Sequence, residues 1–264
     1  MKRGTSGKGR VVVVTGANEG IGYHTSAALL ERGYRVAGFD VDGEGFEALE
    51  DAYPDHARYH RCDVTVDGDV QSAVDAVVAE WGRIDVLLNN AAVFSFGSVE
   101  DRSLDDTRRE FEVNYFGYLR AIRAVLPQMR KQGGGIVHCV SSGVGSTGHP
   151  GLSGYASSKA AIEALVRSLR LELRHEPISV TLMYPPATNT RSAARLGYPS
   201  YAVKEPAEVG RKLAAKIEST GPVVAADWST RLGMAVMDRF PSLVERGTAR
   251  FVTEDGVSLG RVEG

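Results

Sequence analysis

The chain has 264 residues, 43% hydrophobic and 24% charged, with a formal charge of -2. That length accommodates one α/β core rather than two, and a balanced charge with no basic stripe along a helix face argues against a nucleic-acid binder. Cys62 and Cys139 each sit inside an apolar run and the six histidines lack zinc-ligand spacing, so neither a disulfide scaffold nor a zinc-dependent alcohol dehydrogenase fits.

The opening "MKRGTSGKGR" is basic, has no apolar stretch behind it, and reads as a flexible tail over 1–9 rather than a signal peptide. Apolar runs then alternate with amphipathic segments. Strands are expected at 10–16, 34–40, 57–64, 84–92, 134–142, 178–186 and 222–226. Between them the periodicity predicts helices at 20–32, 43–52, 67–82, within 103–132, at 152–175 and at 205–219. Continuous Val/Ile/Leu strands separated by helices imply a Rossmann-like α/β fold, a doubly wound parallel sheet of about seven strands with helices on both faces. A single domain over 10–252 is expected, with a second flexible tail at 253–264. No run of 18 apolar residues occurs, so a soluble, cytoplasmic protein without a transmembrane segment is expected.

Three local patterns carry chemistry. The first is "TGANEGIG", Thr15 to Gly22, set between the first strand and the first helix. Glycines at 16, 20 and 22 permit a tight turn and a close backbone approach, and a helix N-terminus there offers N–H groups to a pyrophosphate. Asp40, eighteen residues after Gly22, ends the second strand. A carboxylate there accepts ribose hydroxyls and repels a 2′-phosphate; with Glu19 and no Lys or Arg in the loop, this favours NAD(H) over NADP(H). The third pattern is Tyr155 and Lys159, one turn apart on a helix whose Ala156, Ala160, Ala161, Ala164, Leu165 and Leu169 form an apolar stripe. A unit charge about 4 Å from a phenol, at an effective dielectric of ~20, favours the phenolate by roughly 4 kcal/mol, about three pKa units.

These pieces, with Asp63-Val64, "NNAA" at 89–92, Asn114, and Ser142 thirteen residues before "YASSK" at 155–159, occur in the order found in the short-chain dehydrogenase/reductases, which the chain resembles over roughly 10 to 226. The resemblance implies that Gly16, Asn18, Glu19, Gly20, Ile21 and Gly22 hold the dinucleotide, Asp40 its ribose, and Asp63 and Val64 its adenine. It further implies that Asn89, Asn90 and Ala91 line the cofactor path, and that Pro185, Thr188 and Thr190 meet the carboxamide. Ser142 would orient the substrate, Tyr155 would exchange the proton, and Lys159 would bind the nicotinamide ribose and depress the Tyr pKa. Asn114 would hold a kinked helix and a water that relays protons. No metal is implied. The expected activity is NAD(H)-dependent interconversion of a secondary alcohol and a ketone on a small to mid-sized apolar substrate.

Two departures from the family pattern matter. The usual Pro-Gly becomes Pro185-Pro186, which stiffens the loop. A similar double proline in 3-ketodihydrosphingosine reductases points to a long-chain or lipid-like ketone, although those reductases prefer NADPH, which Asp40 contradicts. The usual closing strand is also missing; an amphipathic helix is expected within 229–252, with Leu232, Met234, Met237 and Phe240 closing the core, forming a dimer contact, docking to a membrane, or gating a hydrophobic substrate. Phe94, Phe96, Val144, Leu152, Pro186, Tyr198 and Tyr201 are expected around an apolar substrate pocket under a lid at 187–203, with His149-Pro150 as a turn. The helices within 103–132 and at 152–175 resemble those that pair in family dimers, so a homodimer or homotetramer is expected. The alternative outside catalysis is a dinucleotide-sensing regulator on the same fold.

Overall fold

In a computed structural model, Val11–Thr15 (β1) forms an interior strand of a seven-stranded sheet. Four consecutive valines explain its place: β-branched side chains suit a pleated surface, and all five residues are buried, as a strand covered on both faces requires. The structure describes residues 7, 9–193, 203–240, 242, 246–247, 252–253 and 256–257.

Chain order continues through Gly20–Leu30 (α1), Arg35–Asp40 (β2), Glu44–Ala52 (α2), Ala57–Arg61 (β3), Asp67–Trp81 (α3) and Val86–Asn89 (β4). Leu104–Phe111 (α4) follows, opened by a reciprocal capping box between Ser103 and Asp106. Gly117–Lys131 (α5), Gly135–Val140 (β5), Val144–Thr147 (α6, a single turn), Ser153–Glu172 (α7) and Ile178–Tyr184 (β6) come next. Pro206–Ala214 (α8), Val223–Ala225 (β7) and Trp228–Arg239 (α9) complete the layers. Val252–Thr253 (β8) pairs antiparallel with Gly256–Val257 (β9), at the start of the stretch expected as a tail.

Strand order is β3-β2-β1-β4-β5-β6-β7 and every pairing in that sheet is parallel. Alternate residues point to opposite faces, so each strand feeds two cores. Val13, Leu87, Val137 and Leu182 pack with α3, α5 and α7 on one face, and Val12, Val14, Leu88 and Met183 pack with α1, α2 and α8 on the other. The expected helical stretch at 103–132 is divided: between α4 and α5, Glu112–Phe116 forms one wide π-helical turn that contains Asn114. Strand order reverses between β1 and β4, which opens a crevice at the carboxyl ends of the strands.

Candidate active site

The glycine loop leaves β1 at the floor of that crevice. Gly16 has φ +66°, and a Cβ there would stand 2.7 Å from Ala91 Cα; a Cβ on Gly22 would stand 2.0 Å from Gly16 O. Both positions thus exclude any side chain, and the loop stays low enough for a phosphate to reach the first amides of α1. Asn90 Nδ2 donates to Thr15 O at 3.1 Å and Gly16 O at 3.0 Å, while Thr15 Oγ1 accepts from Asn90 N and Ala91 N. Asn18 Oδ1 accepts from Gly45 N at 2.6 Å and Phe46 N at 3.1 Å, which ties the loop to the start of α2.

Asp40 accepts from Asn18 N at 2.9 Å through Oδ2 and from Val41 N at 2.8 Å through Oδ1. Burial raises its carboxyl above the ordinary aspartate value, against the pull of these backbone donors. Asp63 Oδ1 accepts from Thr65 N and Thr65 Oγ1, which folds the turn beside Val64.

One cavity of about 1560 Å³ takes in the loop residues Gly16, Asn18, Glu19, Gly20 and Ile21 together with Asp40, Asp63, Val64, Asn90 and Ala91. Ser142, Tyr155, Lys159, Pro185, Pro186, Thr188 and Thr190 border the same space, as do Phe94, Val144, Leu152 and His149. Its size exceeds the usual single-ligand range, as a site for a dinucleotide plus a substrate requires.

Four expected residues stand elsewhere. Gly22 lies behind the lining, where its missing side chain lets Gly16 O approach. Asn89 does not line the cofactor path: as the last residue of β4 it points inward, fully buried, with Nδ2 toward Tyr118 O at 3.4 Å. Phe96 does not border the cavity either: its ring packs over Gly151. Asn114 is buried with its amide fully engaged: Oδ1 accepts from Val93 N at 2.8 Å, and Nδ2 donates to Val93 O at 2.9 Å and Ser158 Oγ at 3.0 Å. It therefore clamps the exit of β4 to α7, one turn from Tyr155, since Ser158 Oγ in turn donates to Tyr155 O. Tyr198 and Tyr201 lie outside the described residues, as does 194–202 of the expected lid. The described foot of that segment is anchored: Thr188 and Lys204 form a parallel bridge, and Arg191 pairs with Glu19 across the glycine loop at 3.2 Å.

Lys159 is 1% exposed and stands 5.6 Å from the centroid of the Tyr155 ring, with Nζ donating to Val140 O at 2.9 Å. Burial lowers its ammonium from the usual lysine value to about 7. A full charge 5.6 Å from the ring centre favours the phenolate by roughly 3 kcal/mol at an effective dielectric of ~20, and only while the lysine is protonated. Phe94 lies 5.6 Å from the Tyr155 ring and forms an apolar wall beside it.

Some site-building residues carry no sequence signal. Glu110, buried in α4, accepts from Ser95 N at 2.7 Å and Arg102 Nη2 at 2.6 Å, which pins the loop carrying Phe94. Glu163, also buried, accepts from Ser141 Oγ at 2.9 Å and Tyr184 Oη at 2.7 Å. The α9 helix covers the cavity with Ser229, Thr230, Gly233, Met234 and Met237, while Trp228, Leu232 and Val236 face outward. Phe240, expected within that helix, follows its last residue and is exposed. Among the described residues no cluster of three or more His, Cys, Asp or Glu could hold a metal, and no helix is long and apolar enough to cross a membrane.

A family model described as short chain dehydrogenase matches residues 10–198. The 3-alpha-(or 20-beta)-hydroxysteroid dehydrogenase of Mycobacterium tuberculosis is 34% identical over 182 residues, 69% of this chain and 70% of that protein. The 2,3-dihydro-2,3-dihydroxybenzoate dehydrogenase of Escherichia coli is also 34% identical over 182 residues, 69% of this chain and 71% of its own length. The crystal structure of a short-chain dehydrogenase from Streptomyces avermitilis superposes with a TM-score of 0.74 at 31% identity, covering 90% of this chain and 98% of that one. A seven-stranded parallel sheet, a glycine turn where its strand order reverses, and these matches lead to one conclusion: the chain belongs to the short chain dehydrogenase family, oxidoreductases that act at CH–OH and C=O groups.

Proposed function

We propose that this protein is an NAD(H)-dependent dehydrogenase that interconverts a secondary alcohol and a ketone on a small to mid-sized, apolar substrate. The reading rests on one observation: the glycine loop, Asp40, Ser142, Tyr155 and Lys159 all border a single cavity. The loop fits a dinucleotide because Gly16 and Gly22 have no room for a Cβ and the first amides of α1 follow directly. Asp40 supports NAD(H) over NADP(H), since its carboxylate, already fixed by two backbone amides, has lone pairs left for ribose hydroxyls.

When bound, the nicotinamide supplies or accepts the hydride. The chain's own groups handle the proton and the oxygen. Ser142 holds the substrate oxygen by its hydroxyl, and Tyr155 Oη gives a proton to the developing alkoxide, or takes it from the alcohol in the oxidative direction. Lys159 stabilises the phenolate by its charge. Asn114 acts as a positioning residue, through Val93 and Ser158, rather than by touching substrate. Phe94, Val144, Leu152, Met234 and Met237 give the cavity an apolar wall, and a relative named as a hydroxysteroid dehydrogenase agrees with that class of substrate. Pro185-Pro186 and the two methionines of α9 bring long-chain ketones into the same class.

We also infer one domain over 10–252, supported by the seven-stranded sheet and its two cores, and a homo-oligomer in the cytoplasm. Exposed Leu104, Phe116 and Leu171 on the 103–132 and 152–175 segments support pairing, and the buried free thiols of Cys62 and Cys139 suit a reducing compartment.

The test is absorbance-monitored turnover with NAD+ and NADH on alcohols and ketones graded from polyols to steroids and long-chain ketones, run beside Tyr155→Phe. The variant is expected to lose turnover by about 10²- to 10⁴-fold while still binding NADH. Undiminished turnover in the variant refutes the assignment of Tyr155; NADH binding without turnover on any substrate favours the sensing regulator.

A further inference from the structure

Tyr118 sits one turn after Asn114, at the start of α5, and belongs to none of the motifs above. Its ring is 1% exposed. Its hydroxyl donates to Val140 O at 3.2 Å and accepts from Lys159 Nζ at 3.3 Å, while the same Nζ donates to Val140 O at 2.9 Å. The three groups close a triangle inside the protein. Nζ also stands 5.0 Å from the centroid of the Tyr118 ring and 5.6 Å from that of Tyr155. The lysine is therefore held between two phenol rings, one in the core and one in the cavity. Two of its three N–H groups are used on inner oxygens.

A buried ammonium needs compensation, and among the described residues no carboxylate lies within salt-bridge distance of Lys159. The groups that face it are Tyr118 from α5, Cys139 and Val140 from β5, and Tyr155 from its own helix. Burial raises the Cys139 thiol to about 12 and pushes the Tyr118 phenol well above its ordinary value, so both stay neutral. Glu163, one turn further on, is committed to Ser141 and Tyr184. What remains to stabilise the charge is a carbonyl dipole, one hydroxyl oxygen and two ring faces.

We propose that Tyr118 is a positioning residue for Lys159: its hydroxyl and ring hold the amine beneath Tyr155 and compensate its buried charge. The role rests on reading Tyr155 and Lys159 as the acid/base pair. Tyr118→Phe keeps the ring and deletes only the oxygen. Loss of one hydrogen bond to a charged group lowers the Lys159 pKa by about one unit, so at pH 7 the protonated fraction drops roughly fivefold. A less charged lysine leaves the Tyr155 phenol higher, and the rising limb of alcohol oxidation moves to higher pH.

The experiment uses the full chain labelled with 13C-lysine, with the Lys159 εCH2 signal identified by its absence in Lys159→Arg. Wild type, Tyr118→Phe and Tyr118→Leu are titrated by NMR without cofactor or substrate, and circular dichroism checks that each is folded. Lys159 is expected to titrate near 7 in wild type, about one unit lower in Tyr118→Phe, and lower still in Tyr118→Leu, which also loses the ring face. Identical titration in wild type and Tyr118→Phe overturns the proposal. So does a wild-type value near that of a solvated lysine, a result that stands even if neither variant folds. Where turnover is measurable, an oxidation limb that stays in place while the Lys159 titration moves overturns the link to Tyr155. Because the titration needs no turnover, failure of the dehydrogenase reading appears separately, as an inactive wild type.

Discussion

Asp40→Asn removes a single charge and tests which dinucleotide the crevice accepts. In the native site Oδ2 and Oδ1 accept from Asn18 N at 2.9 Å and Val41 N at 2.8 Å. An asparagine must turn its NH₂ group toward one of these donors, which leaves a backbone N–H unpaired and costs about 1–3 kcal/mol of stability. The gain is electrostatic. A carboxylate about 4 Å from a phosphate charge repels it by roughly 4 kcal/mol at an effective dielectric of ~20, and salt and partial exposure reduce this to about 2 kcal/mol. The variant should therefore bind NADPH about 30-fold more tightly while NADH weakens by about tenfold through loss of one ribose acceptor. Fluorescence titration with both nucleotides measures the two dissociation constants, and a thermal melt reads the stability change. Since burial raises the Asp40 carboxyl, the native preference should also relax on the acid side earlier than for an ordinary aspartate. An NADPH-to-NADH affinity ratio that stays within a factor of three on substitution would refute the argument.

Lys159→Met exchanges a buried amine for an apolar chain of similar length. The folded-state pKa of about 7 lies below that of a solvated lysine, so between the two the unfolded chain holds more protons and native stability rises with pH. The substitution should stabilise the fold by a few kcal/mol at pH 6–7, with the gain vanishing toward pH 10–11; denaturant melts that show equal stability at pH 6.5 would refute it. Gly22→Ala places a methyl 2.0 Å from Gly16 O and 2.7 Å from Asn90 Nδ2, so calorimetry with NADH should show binding weakened at least a hundredfold, whereas near-native binding would mean that the loop is free to shift.

The sheet was readable because parallel strands covered on both faces are nearly continuous apolar runs, and each expected strand lies within about three residues of an observed one. Periodicity failed where geometry, not hydrophobicity, decides. The wide turn at Glu112–Phe116 is flanked by helix on both sides and carries no Gly or Pro to mark it in the sequence, and Val144–Thr147 is too short to show any period. Asn89 and Asn90 are adjacent amides of one motif, and only the strand's alternation sends the first into the core and the second to the glycine loop. Phe96 shows the same limit, since an aromatic after a strand does not declare which wall it packs on. Tyr118 looks like one more core aromatic in the stripe with Ala121, Ile122 and Val125; its hydroxyl acquires a role only when β5 brings Val140 O beside it. The Tyr155–Lys159 spacing was legible, but not the burial that pulls the ammonium down to about 7.

The π-helical turn makes helix phase a part of the site. Each residue advances an α-helix by about 100°, so the wide turn at Glu112–Phe116 offsets α4 from α5 by about that angle relative to an unbroken helix. Deleting one residue there would yield a more regular helix with the same side chains. It would also rotate Glu110 out of its pocket against Arg102 and Ser95, while Asn114 lost its register with Val93 and Ser158. The regular helix is therefore the form incompatible with this crevice. The irregular one lets Glu110 and Asn114 hold the segment after β4 while Asn114 also reaches Ser158 of α7 and Tyr118 reaches Val140 of β5.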